Sequence, residues 1–281
     1  MAHANLSEDA LRQWSSVAPA WEARREPLFE MTRAISEQLV ERIDPEPGET
    51  VLELCAGPGE TGFLAAERLG ERGRLISSDL SPAMVEAARR GAEARGLGNV
   101  ELRVVDAQQI DLPDDHVDAV VARFGLMLVP DQPRAVSEIR RVLRPGGRCA
   151  WGTWGPPDRN PWIFEIVSAL MANGVTLPGD PFAPGGVFSL STPEPNRELA
   201  SGAGFEDVAV QEVTGEFRHQ SAEEYWDFNT AIAGPVAEVI ATLGQDQLAA
   251  VRSHLEEHLE PFRRDGGLTL PWVALVTSSR A

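Results

Sequence analysis

Short apolar runs, each cut off by turn residues and followed by a helical spacing, recur along the first half of the chain. Val51 to Leu54 is apolar except for Glu53; it ends in Cys55-Ala-Gly-Pro-Gly59, and a helix is expected to begin near Glu60. Arg74 to Ser78 ends at Asp79, after which Ser81-Pro82 supplies an N-cap and a first-turn proline for a helix through Arg95 that Gly96 closes. Val100 to Val105 stops at Asp106-Ala107, and Val117 to Ala122 follows the polar turn Pro113 to Asp115. A helix over 131–143 stops in Arg144-Pro145-Gly146-Gly147 before a fifth strand at Arg148 to Thr153. Strands alternating with helices in this way predict an α/β fold with a parallel sheet.

Beyond residue 155 the pattern is less regular. Helices are predicted over 160–173 and 196–203, the second closed by Gly204, and strands over 206–217 and 268–277. Trp14 and Trp21 lie seven residues apart, hence on one face of a helix there, as a cover over a ligand or as core anchors.

The first strand and its turn carry the chemistry. Gly57 and Gly59 let backbone approach a ligand, and the following helix turns its partly positive end toward it. Gly57-x-Gly59-x-x-Gly62 also fits the dinucleotide fingerprint, so the glycines alone leave the adenosine ligand open. Glu53, a carboxylate within a buried strand, is explained by a cationic or donor-rich ligand, or by capping of nearby backbone N–H groups. Asp79, about twenty residues past the glycines, stands where a carboxylate accepts ribose hydroxyls.

Four segments in one order, Glu53-Leu-Cys-Ala-Gly-Pro-Gly59, Asp79-Leu-Ser-Pro-Ala-Met84, Asp106-Ala107 and Val142-Leu-Arg-Pro-Gly-Gly147, give the chain its resemblance to class I S-adenosylmethionine-dependent methyltransferases. The branch it resembles holds the ubiquinone and menaquinone C-methyltransferases. The resemblance implies a Rossmann-like seven-stranded sheet of order 3-2-1-4-5-7-6, its last strand antiparallel, with S-adenosylmethionine as cofactor. It implies that the loop of Ala56, Gly57 and Gly59, with Glu53 beneath, meets the methionine part, that Asp79 takes the ribose, and that Asp106 with Ala107 holds the adenine amino edge. Leu80 and Met84 would flank the adenine, and Arg123-Phe124 would lie near the sulfonium, where a small polar residue is more usual than arginine. With strand six parallel to the first five, the connection 219–267 starts and ends on the ligand edge and reads as a helical lid, Tyr225, Trp226, Phe228 and Asn229 on one side and a helix over 236–262 on the other. The expected division is one methyltransferase domain over 1–281: a helical cover (1–49), a cofactor-binding core (50–154), substrate-side helices and loops (155–205), and the last two strands with the lid (206–281).

Composition narrows the partners. A net charge of -18 disfavours nucleic acid, whose phosphates need Lys and Arg. All 25 basic residues are Arg, which excludes Schiff-base and P-loop lysine chemistry. A nicotinamide oxidoreductase would need a catalytic Tyr or Lys, and Tyr225 is the only tyrosine. No apolar run is long enough to span a bilayer and Met1 to Asp9 lacks a leader's layout, so a cytoplasmic location without stable membrane insertion is expected. Cys55 and Cys149 fall in predicted buried strands and read as reduced packing residues. His254-Leu-Glu-Glu-His258 matches a zinc-peptidase string without a third ligand, so no metal is expected. Trp151, Trp154 and Trp162 around strand five suit a flat, apolar, small-molecule acceptor methylated on carbon or oxygen. A base, where the acceptor needs one, would be His219 or a lid carboxylate such as Glu224; no catalytic residue is assigned. A homodimer and a cofactor-binding protein without transfer activity are the remaining alternatives.

Overall fold

The computed structural model describes residues 2–281, with side chains from residue 8 onward except at 235; Met1, where the stretch read for a leader begins, lies outside the described residues. Two helices, α1 (Ala2–Ala23) and α2 (Arg25–Ile43), precede β1 (Thr50–Leu54). The core then alternates: α3 (Glu60–Leu69), β2 (Arg74–Asp79), α4 (Pro82–Ala94), β3 (Val100–Val104), β4 (Val117–Arg123), α5 (Gln132–Val142) and β5 (Leu143–Trp154). The remainder holds α6 (Pro161–Ala172), α7 (Pro193–Gly202), β6 (Glu206–His219), α8 (Ala222–Ile232), α9 (Gly234–Ile240), α10 (Gln245–Leu259), the two-residue β7 (Arg263–Arg264) and β8 (Gly267–Arg280).

The strands form one sheet of order β3-β2-β1-β4-β5-β8-β6, with β7 paired to β8 alone. β1 to β5 are parallel, and β8 runs antiparallel between β5 and β6. This is the expected Rossmann-like order, the last long strand in the place of strand seven. A sheet buried on both faces needs two apolar layers, and alternation supplies them. Val51, Ala119, Val121 and Ala150 pack toward α2 and α3, while Leu52, Leu54, Val120, Ala122 and Trp151 pack toward α5 and α7. Glu53 shares the parity of Val51 and so points beneath α3.

Element starts follow local chemistry. Ser81 caps α4 by accepting the Met84 N–H with Pro82 in the first turn, and Asp131 caps α5. Three expectations change. The helix foreseen over 236–262 is two, because the chain turns at 241–244 and Gly244 caps a fresh start for α10. β5 begins at Leu143, since the Arg144–Gly147 turn is held by Gly146 N–H on Ala281 O and Ala281 N–H on Gly147 O. Cys55 does not lie inside a strand: it follows β1 with φ 54°, at the ligand edge, whereas Cys149 is buried in β5. Among the described residues, no helix is long and apolar enough to cross a membrane.

Candidate functional site

A cavity opens at the carboxyl ends of β1 to β4, where strand order reverses and open α/β sheets bind ligands. Ala56 and Gly57 form one wall, Asp79, Leu80 and Met84 a second, Asp106, Ala107 and Gln108 a third, and Arg123, Phe124 and Gly125 the fourth. Trp14 and Trp21 of α1 close it from above, their rings edge-to-face at 5.9 Å. Both tryptophans therefore cover the cavity while also packing on the small core of Val17, Ala18 and Met84.

Backbone in unusual conformations shapes the rim. Cys55 and Phe124 sit at φ 54° and 57° at the ends of adjacent strands, each at a cost of about 1–3 kcal/mol. Gly125 is required between them, because a Cβ there would lie 2.0 Å from Cys55 Cβ. Both strained residues line the cavity.

Asp79 ties two walls together. Its carboxylate accepts the Gly57 N–H and the Ser81 N–H, each at 2.9 Å, so the glycine loop and the start of α4 are fixed by one side chain. Burial pushes its pKa up, and the N–H groups of Ser81, Gly57 and Leu80 oppose that rise. Asp106 accepts the Gln108 N–H at 2.8 Å, and the Gln108 amide oxygen accepts the Asp131 N–H, which ties the third wall to α5.

Glu53 and Gly59 do not line the cavity. One Glu53 oxygen accepts the Gly62 N–H and the other the Ser77 hydroxyl, both at 2.7 Å, and burial pushes its pKa up to about 8. The capping alternative for this residue is thus realised: it stands behind the loop. Gly62 has no room for a side chain, since a Cβ would lie 2.1 Å from Glu53 Oε2. Beside it, Glu60 is paired with Arg95 and lies 3.5 Å from Arg25 Nε, while Arg25 donates to Ala87 O.

Behind Phe124, outside the cavity lining, the core turns aromatic. Phe124 stacks on Trp154 at 3.8 Å and 13°, and Trp154 continues to Trp162 at 4.7 Å and Trp272 at 6.1 Å. His219 is buried between Tyr225 and Phe228, its Nε2 without a partner, and burial lowers its pKa. It does not reach the cavity, and Glu224 caps α8 from outside by accepting the Gln220 N–H. Neither candidate base is therefore placed to deprotonate a molecule in the cavity. His258 Nδ1 lies 2.9 Å from Glu165, which ties α10 to α6, and no group of three or more metal-ligating side chains occurs among the described residues. Cys55 and Gln108 are lining residues that the sequence reading passed over; a chain turning back just after the Asp106-Ala107 stop was the available signal for Gln108.

Residues 51–147 match the methyltransferase domain family over all four segments named above. That stretch is a methyltransferase domain, and the curated relatives that the chain resembles are methyltransferases. The chain is 29% identical to nocamycin O-methyltransferase of Saccharothrix syringae over 261 residues, 88% of this chain and 91% of that protein. It is 35% identical to 2-phytyl-1,4-naphtoquinone methyltransferase of Synechococcus elongatus over 150 residues, 52% of this chain and 64% of that one, so it spans less than two thirds of that relative. The YcgJ protein of Bacillus subtilis shares the fold with a TM-score of 0.57 at 21% identity, covering 87% of this chain and 97% of that one. The lining suits S-adenosylmethionine: it holds a buried carboxylate able to accept hydroxyl groups and the apolar side chains of Leu80, Met84 and Ala107, and a helix begins just behind.

Proposed function

We propose that the enzyme moves the methyl group of S-adenosylmethionine to a carbon or oxygen atom of a small aromatic or apolar molecule by in-line transfer, with oxygen the favoured acceptor. The cavity carries this reading: one space joins the carboxylates of Asp79 and Asp106 to the ring of Phe124, which is itself stacked on Trp154. Similarity to an O-methyltransferase along most of both chains supports oxygen.

In this reading Asp79 accepts the ribose hydroxyls, Asp106 with Ala107 takes the adenine amino edge, and Leu80 and Met84 flank the ring. Ala56 and Gly57 meet the methionine part, with Glu53 and Gly59 shaping the loop from behind, and Arg123 with Phe124 faces the methyl-bearing end. Residues 1–49 serve as the cover and 219–267 as the lid over the acceptor. The cofactor supplies an electrophilic methyl group whose departure leaves a neutral thioether. The chain's share is alignment: holding the acceptor atom about 3 Å from that carbon and in line supplies proximity and orientation.

A second reading, a cofactor-binding protein without transfer, draws on one observation: among the described residues the cavity lining holds no histidine and no carboxylate beyond Asp79 and Asp106. Purified protein incubated with methyl-labelled cofactor and a panel of naphthols, quinols, enols and aromatic acids separates the two. Label in an acceptor is the expected result; no transfer across the panel by protein that binds the cofactor would favour the second reading.

A further inference from the structure

Arg123 ends β4 beside Phe124, and its guanidinium is enclosed by protein yet lines the cavity. Its one hydrogen bond among the described residues runs from Nη1 to Thr32 Oγ1 at 2.8 Å, and it has no ion pair among them. None of its nitrogens is a sealed atom without a partner, so its remaining donors face the cavity. The carboxyl groups whose fields reach it are Glu53 and Glu60. Glu53 has both oxygens engaged by Gly62 and Ser77, and burial pushes its pKa up. Glu60 is shared by Arg25 and Arg95. Arg123 is thus left with no ion pair and one hydrogen bond among the described residues, and a bound sulfonium would add another positive charge. A buried cation left in that state is costly unless the ligand itself supplies the anion.

We propose that Arg123 holds the acceptor, and that the group it holds is an oxygen already ionised at neutral pH, a carboxylate or a comparably acidic enolate. The inference rests on the methyltransferase reading and deepens it by naming the acceptor class. Position favours the acceptor: the guanidinium lies 5.7 Å from the ring of Phe124, which lines the cavity beside it. A guanidinium fork matches a carboxylate with two parallel hydrogen bonds. An oxyanion between guanidinium and sulfonium neutralises both, which a neutral alcohol does not do. In the transfer a lone pair of that oxygen forms the O–CH3 bond while the CH3–S bond breaks and its electron pair returns to sulfur. No proton is released, so the step needs no base, in keeping with a cavity whose lining holds no histidine among the described residues.

The test is calorimetric titration of the protein saturated with S-adenosylhomocysteine, using 1-naphthoate and the uncharged 1-naphthamide as probes. Naphthoate is expected to bind about tenfold tighter or better, and Arg123→Gln to erase that preference while changing S-adenosylhomocysteine affinity by less than about threefold. Arg123→Lys, which keeps the charge without the fork, should retain part of the preference and reports on a folded protein. Equal affinity for the two probes, no naphthoate binding, or a preference that survives Arg123→Gln would overturn the assignment. It is also overturned if Arg123→Gln loses S-adenosylhomocysteine but keeps 5′-methylthioadenosine, because the guanidinium would then serve the cofactor's own carboxylate. Failure of the wild type to bind S-adenosylhomocysteine at all is a separate result, which removes the methyltransferase reading itself.

Discussion

The two ends of the cavity are built by different means. At the cofactor end, carboxylates and backbone N–H groups lock one another: Asp79 holds Gly57 and Ser81, Glu53 holds Gly62 and Ser77, and Asp106 holds Gln108. At the other end Phe124 lines the cavity, and behind it Trp154, Trp162, Phe217 and Trp272 from β5, α6, β6 and β8 meet as packed rings with few polar contacts among them. Hydrogen bonds to backbone demand fixed geometry and particular residues at particular spacings. Ring packing tolerates exchange of one apolar shape for another. A cofactor that does not vary is served by the first kind of site, an acceptor that varies between relatives by the second.

The contrast is broken most severely at Gly62. Gly62→Ala would press a methyl group onto Glu53 Oε2 at 2.1 Å and Leu75 Cδ2 at 3.0 Å, with an expected loss of about 3 kcal/mol or more by urea unfolding. Asp79→Ala leaves the N–H groups of Gly57 and Ser81 unpaired, and S-adenosylhomocysteine affinity should fall roughly 100-fold by calorimetry. At the other end, Trp154→Leu removes the ring stacked on Phe124; the range of acceptors methylated should change while S-adenosylhomocysteine affinity moves by less than about threefold.

Smaller effects sharpen the comparison. Glu53 rises from 4.5 to about 8 on folding, so it binds its proton more tightly in the folded state. Its stabilisation is full below the unfolded value and is lost as pH rises toward the folded one. Thermal melts should therefore show a lower Tm at about pH 8 than at about pH 5, and Glu53→Gln should narrow that gap. Trp21 lines the cofactor cavity and donates its indole N–H to Ile232 O at the end of α8, linking cover to acceptor side. Trp21→Phe removes that bond, worth about 1 kcal/mol, and should speed amide exchange in α8.

What could be read from the sequence follows the same division. The glycine turn, Asp79, the Ser81-Pro82 start and Asp106-Ala107 are contiguous signals, because each closes or opens an element within a few residues. The sheet order came through resemblance rather than periodicity, since strand pairing joins residues as far apart as Arg148 and Arg280. Glu53 was legible as an anomaly, but whether it faced a ligand or the loop depended on Gly62 folding back over it. The position of Cys55 depended on its left-handed backbone, which an apolar run does not reveal. The partners of Trp154 were hidden for a different reason: Phe124, Trp162, Phe217 and Trp272 lie on separate elements, and no spacing in the chain announces their meeting.

The measurement that bears most directly on the central claim is calorimetric titration of the wild type and Asp79→Ala with S-adenosylmethionine, S-adenosylhomocysteine and NADH. Micromolar binding of the first two by the wild type, lost in the variant and with no NADH binding, is the predicted result. Binding of NADH alone, or equal cofactor affinity in the two proteins, would contradict an adenosine site built around Asp79.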